Sequence, residues 1–324
     1  MPIPIIVDCD PGTDDALALL LALASPELSV IAVTVAGGNV GLELTLPNAL
    51  AITRLAGASV PVHAGAERPL LGSFTSAAHI HGAAGLGGVA LPPGGAAAPG
   101  LAPDVIRRLL REAVEPVTLV GIGPATNLAL ALATEPALAA QVERIVLMSG
   151  AWAEGNVTPA AEFNAWSDPE ALAILLATRR PVVFATLELT AQALVTPARI
   201  AAWRALGNGR CLRAACDIQA NVPPSPRLTT LAGGHGGGYG TPLHDPCAIA
   251  WLIRPELFTA RDCAVRIDLG PGPGRGRTVI DRSGRADVAT AGGPATATAH
   301  ATVLETLDAD GFFALLGERL ASLP

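Results

Sequence analysis

The sequence of 324 residues has no lysine, one tyrosine and few aromatic residues, which make up 3% of the chain. All 21 basic residues are therefore arginines, and the formal net charge is −7. A general nucleic-acid-binding protein normally carries a basic footprint, so this composition argues against a nucleic-acid partner. Because half of the residues are hydrophobic, the chain is not disordered and can bury a large core.

Cysteines are few, and long apolar runs are missing. No CxxC pair occurs, and the odd number of cysteines leaves one unpaired: Cys9, Cys211, Cys216, Cys247 and Cys263. This usage fits a reducing compartment. The apolar stretch 16–24 follows acidic residues and is too short to span a bilayer. We expect a cytoplasmic protein with no cleaved signal and no membrane partner.

An acidic turn, Asp-Cys-Asp-Pro-Gly-Thr-Asp-Asp at 8–15, is the strongest feature present. It follows the β-branched run 3–7, which suits a buried strand, and precedes residues 16–21, which favour a helix. Four carboxylates this close repel one another unless protons, hydrogen bonds or a hard divalent cation compensate. Adjacent helix positions diverge by about 100°, so Asp14 and Asp15 can face different targets. Alternatively, Asp14 and Asp15 only favour the positive end of the helix, and Asp8 or Asp10 caps the turn.

Strand and helix patterns alternate along most of the chain. The strands are predicted near 28–36, 60–63, 117–121, 144–148 and 181–185. This alternation indicates an α/β fold with an open, mostly parallel, doubly wound (Rossmann-like) sheet that binds ligands at the carboxyl ends of its strands. Short alternating stretches after Cys263 predict a small antiparallel addition at 264–269, 277–281 and 297–303, followed by a helix at 308–320. Without a repeat or a linker, we predict one domain over residues 1–324.

Several polar residues follow the predicted strands. Asn39 should share the sheet edge with the acidic turn. The long loop 66–100 contains His81, which could donate a proton near neutral pH, although on these residues alone a solvated loop histidine is the simpler explanation. Asp168 starts a capping-box sequence and so has a structural explanation. Asp245 is likewise well placed as a helix N-cap.

The loop before Asp168 contains polar residues for which its sequence offers no comparable structural explanation: Asn156, Glu162 and Asn164. Amides and a carboxylate at the carboxyl end of a strand suit the hydroxyl groups of a sugar. The alternative is that these residues only order their own loop.

Taken together, these motifs resemble the inosine-uridine preferring nucleoside hydrolases, which cleave the N-glycosidic bond of ribonucleosides with a bound calcium. The matching segments, in order, are 8–16, 81–85, 123–127, 155–164 and 244–246. The resemblance covers most of residues 3–252. The glycine-rich run 233–240 departs from the family's second mobile loop, so no role is predicted for His235 or Tyr239.

The resemblance implies calcium-dependent release of ribose and a free base by direct attack of a metal-bound water, which Asp14 activates. His244 and His81 would assist departure of the base. The side chains of three aspartates and one backbone carbonyl would bind Ca²⁺, namely Asp10, Asp15, Asp245 and the carbonyl of Thr126. The residues expected to hold the ribose are Asn39, Met148, Asn156, Glu162 and Asn164. Asp8 would support the metal site from behind.

Residues 73–90 contain none of the tryptophans on which purine-specific relatives stack the base, which favours a pyrimidine or inosine-uridine preference. The resemblance also implies a homodimer or homotetramer. Two alternatives stay open. Asp8 and Asp10 also resemble the Asp-x-Asp motif of haloacid-dehalogenase-like phosphatases, with Asp8 as nucleophile, although that family's lysine is missing. A calcium-dependent nucleoside- or sugar-binding protein without turnover would keep the same pocket.

Overall fold

The computed structural model describes residues 1–223, 240–283 and 299–324. His235, Tyr239 and the start of the predicted strand 297–303 lie outside these ranges. The strands are β1 (Ile3–Cys9), β2 (Leu28–Val35), β3 (Val62–Ala64), β4 (Val117–Gly121), β5 (Val142–Met148), β6 (Val182–Ala185), β7 (Leu194–Val195), β8 (Thr241–Pro242), β9 (Phe258–Ile267), β10 (Thr278–Asp281) and β11 (Ala299–Leu307).

The helices include short ones inside loops. They are α1 (Thr13–Ala24), α2 (Leu42–Leu55), α3 (Ala78–His81), α4 (Ala102–Glu112), α5 (Thr126–Thr134), α6 (Phe163–Ser167), α7 (Pro169–Ala177), α8 (Leu187–Thr190), α9 (Pro197–Ala205), α10 (Arg210–Ala220), α11 (Pro246–Ile253) and α12 (Ala309–Ser322). Two 3₁₀ helices cover Pro136–Gln141 and Pro255–Leu257. None of the helices in the described ranges is both long and apolar enough to cross a membrane.

Within the described ranges, nine strands form one sheet in the order β10-β9-β11-β6-β5-β4-β1-β2-β3. All neighbours from β3 to β11 pair in parallel, which confirms the predicted open, mostly parallel α/β sheet. The chain builds one side of the sheet as β1, β2 and β3, then returns to build the other side from β4. The strand order therefore reverses between β1 and β4, and a crevice opens at the carboxyl ends of strands at such a point. The acidic turn follows β1 at this edge.

The C-terminal strands extend the same sheet. The antiparallel addition is confirmed for β9, which pairs antiparallel with β10 and β11. In contrast, β11 pairs in parallel with β6 through Thr302 and Val303. Val303 and Leu304 are fully buried in different core clusters, which is typical of a strand covered on both faces. A separate antiparallel pair, β7 and β8, was not predicted because each strand has only two residues.

Hydrophobic cores lie on both faces of the sheet, as β1 illustrates. Ile5 and Val7 pack in one core and Ile6 in the other, since side chains alternate along a strand. Helix α1 is buried from Thr13 to Ala22 and contacts α2, α10, α11 and α12. The start of this helix, which carries Asp14 and Asp15, is therefore fixed between β1 and the C-terminal helices.

Candidate active site

A cavity of about 310 Å³ lies at the carboxyl ends of the parallel strands, beside the acidic turn. Nine of the twelve predicted site residues line it, namely Asp14, Asn39, His81, Met148, Asn156, Glu162, Asn164, His244 and Asp245. The other three, Asp10, Asp15 and Thr126, are buried and are not part of the lining. The fold thus brings residues from distant parts of the sequence to one cavity.

Asp15 holds the acidic turn together. Its Oδ2 accepts a hydrogen bond from the Gly12 amide at 2.9 Å, and its Oδ1 accepts one from the Asp10 amide at 3.1 Å. Asn39 adds to this arrangement, because its Nδ2 donates to Asp15 Oδ2 at 3.0 Å and to the Asp10 carbonyl at 3.1 Å. Asp15 therefore caps the turn, a role that the alternative interpretation gave to Asp8 or Asp10. The side-chain amide nitrogen of Asn39 is used within the turn, which leaves its carbonyl oxygen for a ligand.

Asp8 lies behind the turn and does not line the cavity. Thr34 Oγ1 donates to Asp8 Oδ1 at 2.6 Å, and Asn127 Nδ2 donates to the same oxygen at 2.9 Å. Asp8 is 1% exposed. A nucleophile has to reach its substrate, so this position argues against the phosphatase alternative, in which Asp8 attacks.

Three buried carboxylate oxygens in the cluster find no hydrogen-bond donor among the described residues. They are Asp8 Oδ2, Asp10 Oδ1 and Asp14 Oδ1. Carboxyl oxygens of Asp14, Asp15 and Asp245 lie within 4.8 Å of one another. Buried carboxylates without partners are costly, whereas oxygen ligands of this kind suit a hard divalent cation. The residues present therefore fit a metal site.

The pKa values of the cluster lead to the same conclusion. Burial raises the pKa of Asp8 and of Asp15 to about 7, and raises those of Asp10 and Asp245 well above their usual range. Repulsion from neighbouring carboxylates adds to the rise for Asp10, Asp15 and Asp245. A nearby cation favours the ionised form of a carboxylate. A bound cation would thus remove the main electrostatic cost of this cluster.

The sequence explains both Asp168 and Asp245 as helix N-caps, and the structure tests that explanation for each residue. Asp245 occupies the N-cap position of α11, but its side chain makes no capping hydrogen bond. Asp168 does cap α7, because it accepts from the Ala171 amide at 3.0 Å, and it also accepts from Thr126 Oγ1 at 2.6 Å. The structural explanation holds for Asp168 and fails for Asp245. The Thr126 side chain is thus held by Asp168, behind the cavity lining.

Glu162 has a structural role that its sequence context did not indicate. Its Oε1 accepts from the Asn164 amide at 2.8 Å, and its Oε2 accepts from the amides of Gly150 and Ala165, both at 2.9 Å. The carboxylate therefore caps the short helix α6 and ties it to the end of β5. It also lines the cavity, so loop order and ligand contact can come from the same group.

The two asparagines of this loop are fixed in a similar way. Asn156 Oδ1 accepts from the Phe163 amide at 2.8 Å. Asn164 Nδ2 donates to the carbonyls of Ile122 and Met148 at 3.1 and 3.0 Å. Each side chain keeps its other polar atom for a ligand, Nδ2 of Asn156 and Oδ1 of Asn164. The loop presents a prearranged set of polar groups, which is the requirement for binding a sugar in one orientation.

Both predicted histidines line the cavity. His81 Nδ1 lies 3.1 Å from the Thr13 amide nitrogen and 3.8 Å from Asp14 Oδ1. His244 Nδ1 lies 2.7 Å from Thr190 Oγ1. Burial lowers the pKa of both rings, and the negative charge of Asp14 partly opposes this shift. The two rings are therefore mainly neutral at pH 7.

Sequence reasoning missed part of the lining, including Ile80, Val157, Phe163 and Gln219. Gln219 is 4% exposed, and its Nε2 donates to the Thr13 carbonyl at 3.0 Å. It shares the buried face of α10 with apolar residues such as Leu212 and Ala215. A polar residue on an apolar helix face was the available signal. Ile80, Val157 and Phe163 left no signal, since partly exposed apolar residues are common on protein surfaces.

Known proteins resemble the chain along its whole length. It is 43% identical over 324 residues to the pyrimidine-specific ribonucleoside hydrolase RihA of Salmonella gallinarum, with 99% of each chain covered. A plant nucleoside hydrolase, the PpNRh1 enzyme, has a TM-score of 0.87 at 30% identity, with 99% of both chains covered. A purine-preferring ribonucleoside hydrolase from Gardnerella vaginalis has a TM-score of 0.83 at 33% identity, with 98% of both covered.

The family assignment follows from these matches. The inosine-uridine preferring nucleoside hydrolase family model matches residues 5–314. The predicted resemblance is thus confirmed, and with it the activity on N-glycosyl bonds of ribonucleosides. The cavity, its buried aspartates and the loop that carries Asn156, Glu162 and Asn164 suit that activity. The chain belongs to the inosine-uridine preferring nucleoside hydrolases.

Proposed function

We propose that this enzyme hydrolyses pyrimidine ribonucleosides in preference to purine ribonucleosides, with Ca²⁺ as its cofactor. The observation that carries the proposal is that Asp14, whose Oδ1 has no hydrogen-bond donor among the described residues, shares one cavity with the loop of Asn156, Glu162 and Asn164. Two facts support the base preference. The described lining contains no tryptophan on which a purine could stack, and a relative that is 43% identical is named as pyrimidine-specific.

Four groups would hold the cation: the side chains of Asp10, Asp15 and Asp245 and the backbone carbonyl of Thr126. Three observations support this assignment. Asp10 Oδ1 has no hydrogen-bond partner among the described residues, the Asp245 side chain makes no capping hydrogen bond, and the pKa of Asp10 is raised. Calcium prefers six to eight oxygen ligands, so ribose hydroxyls and water would complete the set. When bound, the cation supplies positive charge that orients the ribose hydroxyls and makes a water easier to deprotonate.

Asp14 accepts the proton of the attacking water as the water oxygen bonds to C1′ of the ribose. The N-glycosidic bond breaks, and its electron pair passes to the base, while the ribose develops oxocarbenium character. Asn156, Glu162 and Asn164 hold the ribose so that C1′ faces the water. Asp14 releases its proton to solvent, and the base gains one. The products are ribose and the free base, without a covalent sugar intermediate.

The first test is the release of reducing sugar from uridine, cytidine, inosine, adenosine and guanosine, with calcium and after chelation. We expect kcat/KM for the pyrimidine nucleosides to be at least about tenfold higher, as about 1.4 kcal/mol of selective binding would give. Activity should vanish on chelation and return with Ca²⁺. Faster release from purine nucleosides would overturn the base preference. Nucleoside binding without any release would favour the non-catalytic alternative.

The proposal extends to assembly and compartment. We propose a homodimer or homotetramer, supported by the resemblance to the family, and a cytoplasmic location. All five cysteines are buried and unpaired, which fits a reducing compartment. Light scattering of the purified protein measures the number of subunits, and a monomeric mass would contradict the proposed assembly.

A further inference from the structure

Thr13 connects the start of α1 to both walls of the cavity. Its amide nitrogen lies 3.1 Å from His81 Nδ1, and its hydroxyl oxygen lies 3.0 Å from the same atom. On its other side, the Thr13 carbonyl accepts a hydrogen bond from Gln219 Nε2 at 3.0 Å. Thr13 is 3% exposed, so these bonds are sheltered from water. The residue directly precedes Asp14.

The backbone amide of Thr13 determines which nitrogen of His81 carries the proton. A peptide N–H can only donate, so the nitrogen that it faces has to accept. A neutral imidazole that accepts at Nδ1 carries its hydrogen on Nε2. The competing arrangement would place a hydrogen on Nδ1, where the nearest acceptors are Thr13 Oγ1 at 3.0 Å and, farther away, Asp14 Oδ1. The Asp14 oxygen is 3.8 Å away, beyond hydrogen-bond distance, and the new hydrogen would face the Thr13 N–H.

We infer that Thr13 is a positioning residue that holds His81 as the neutral Nε2–H tautomer, so that this N–H donates to a carbonyl oxygen of the departing base. Among the described residues, His81 Nε2 has no hydrogen-bond partner, and the ring lines the cavity. The hydroxyl of Thr13 donates to Nδ1 alongside the amide. The inference rests on the proposed function, because it assigns the base as the acceptor.

This role differs from that of a general acid. A neutral Nε2–H stabilises the negative charge that builds up on a pyrimidine oxygen as the N-glycosidic bond breaks, without transferring its proton. The base then leaves as a hydrogen-bonded anion and takes its proton from solvent. His81 ends the reaction in the form in which it began, so no step is needed to reprotonate it.

The tautomer can be read directly, whether or not any nucleoside is hydrolysed. Solid-state ¹⁵N NMR of calcium-loaded protein labelled at its six histidines distinguishes protonated from unprotonated ring nitrogens. The His81 signals are identified by their loss in His81→Gln. At about pH 8, above the ordinary histidine pKa of about 6.5, we expect Nε2 protonated and Nδ1 unprotonated. A proton on Nδ1 would overturn the inference, even if the enzyme hydrolyses pyrimidine nucleosides as proposed.

The contribution of the hydroxyl is measured with Thr13→Val and Thr13→Ser. Loss of one neutral hydrogen bond should lower kcat for uridine about threefold to tenfold in Thr13→Val, with KM within about twofold. Thr13→Ser should restore kcat, and the Nδ1 signal should move in the valine variant only. Thr53→Val is the matched control, since the Thr53 hydroxyl is buried and donates to the Ala49 carbonyl, outside the cavity lining. Unchanged kcat and an unchanged Nδ1 signal in Thr13→Val would show that the Thr13 hydroxyl does not position His81.

A second pair of variants separates hydrogen bonding from proton transfer. The side-chain amide of His81→Gln can place an N–H near the position of Nε2, whereas the shorter His81→Asn cannot reach it. We expect the glutamine variant to retain more kcat than the asparagine variant, with similar thermal stability. If both variants lose kcat equally, a proton transfer from His81 is favoured and the hydrogen-bond role is wrong.

Discussion

The two halves of the cavity are built in different ways. On the side of the acidic turn and the ribose loop, Asp15 and Glu162 are at most 2% exposed, and their carboxylates accept hydrogen bonds from backbone amides. The apolar side chains of Ile80, in α3, and of Val157, next to Asn156, also line the cavity and are 44% and 40% exposed. We propose that these two side chains contact the base and form the base half. The half with the acidic turn and the ribose loop, here called the reacting half, is fixed by buried hydrogen bonds at strand ends. The base half relies on apolar contacts, which are easier to change by substitution.

The largest effect should come from Asp14→Asn in the reacting half. An amide cannot accept the proton of water, so we expect kcat to fall about 10²–10⁴-fold. Steady-state ribose release measures this loss, and calorimetry checks that nucleoside binding survives. Asp217→Asn is the control, because Asp217 is exposed on α10 and pairs with Arg204. Unchanged turnover in Asp14→Asn would remove Asp14 from its role as the base.

Calcium should stabilise the protein more at high pH than at low pH. The pKa of Asp8 and of Asp15 is raised from 3.8 to about 7 by burial. In the metal-free protein, their contribution to stability is therefore complete below pH 3.8 and is lost as the pH rises through 7. Bound Ca²⁺ would take the place of the proton on its proposed ligand Asp15, and its positive charge would favour the ionised form of Asp8, so that it offsets this loss of stability.

Thermal unfolding with and without Ca²⁺ measures this dependence. At a hundredfold excess over Kd, ligand binding contributes about 2.7 kcal/mol, or a rise in Tm of about 5 °C. We expect that shift near pH 8 and a clearly smaller one near pH 5, because protons compete with the cation. Equal shifts at both pH values would show that the cluster does not bind the metal through these carboxylates.

Glu162→Gln tests the rigidity of the reacting half with a smaller effect. In the native protein, backbone N–H groups donate to the Glu162 carboxylate. In the variant, the NH₂ group of glutamine would face one of these N–H groups, so that two donors oppose each other. We expect kcat/KM to fall about tenfold and the free energy of unfolding to fall by about 1–3 kcal/mol. Kinetics and denaturant unfolding measure the two quantities. Glu112→Gln, at an exposed position paired with Arg108, should change neither.

The smallest effect is expected in the base half. Ile80→Ala removes apolar contact from a partly exposed residue, so we expect KM for uridine to rise about threefold to fivefold, equivalent to about 1 kcal/mol, with kcat nearly unchanged. The ratio of uridine to inosine hydrolysis should also change. Val279→Ala is the control, since Val279 is similarly exposed and does not line the cavity. A fall in kcat of about tenfold in Ile80→Ala would end the distinction between the two halves.

Much of this arrangement could be predicted from local sequence. Strand and helix periodicity indicated the α/β sheet, and the polar residues placed at its strand ends do meet in one cavity. The direction of β11 could not be predicted, because strand pairing depends on distant residues. The cap made by Glu162 was missed because the short helix α6 leaves no periodic pattern. The roles of the site residues, and one domain over residues 1–324, remain predictions.

Asp245 and Thr126 show a further limit of the sequence. An aspartate before Pro246 has the pattern of an N-cap, yet its side chain makes no capping bond. Only the packing of α11 against α1 brings it to the acidic cluster. A backbone carbonyl such as that of Thr126 is the same in every residue type, so no side chain marks it as a ligand.

The packing of the C-terminal helix α12 against α1 has a consequence for the order of folding. Helix α12 packs on α1, and Arg319 pairs with Glu27, 292 positions away in sequence, at 2.6 Å. The amide of Cys211 also donates to the carbonyl of Pro324. Contacts between such distant residues form late. We therefore expect the acidic turn to reach its final position only when helix α12 docks on α1.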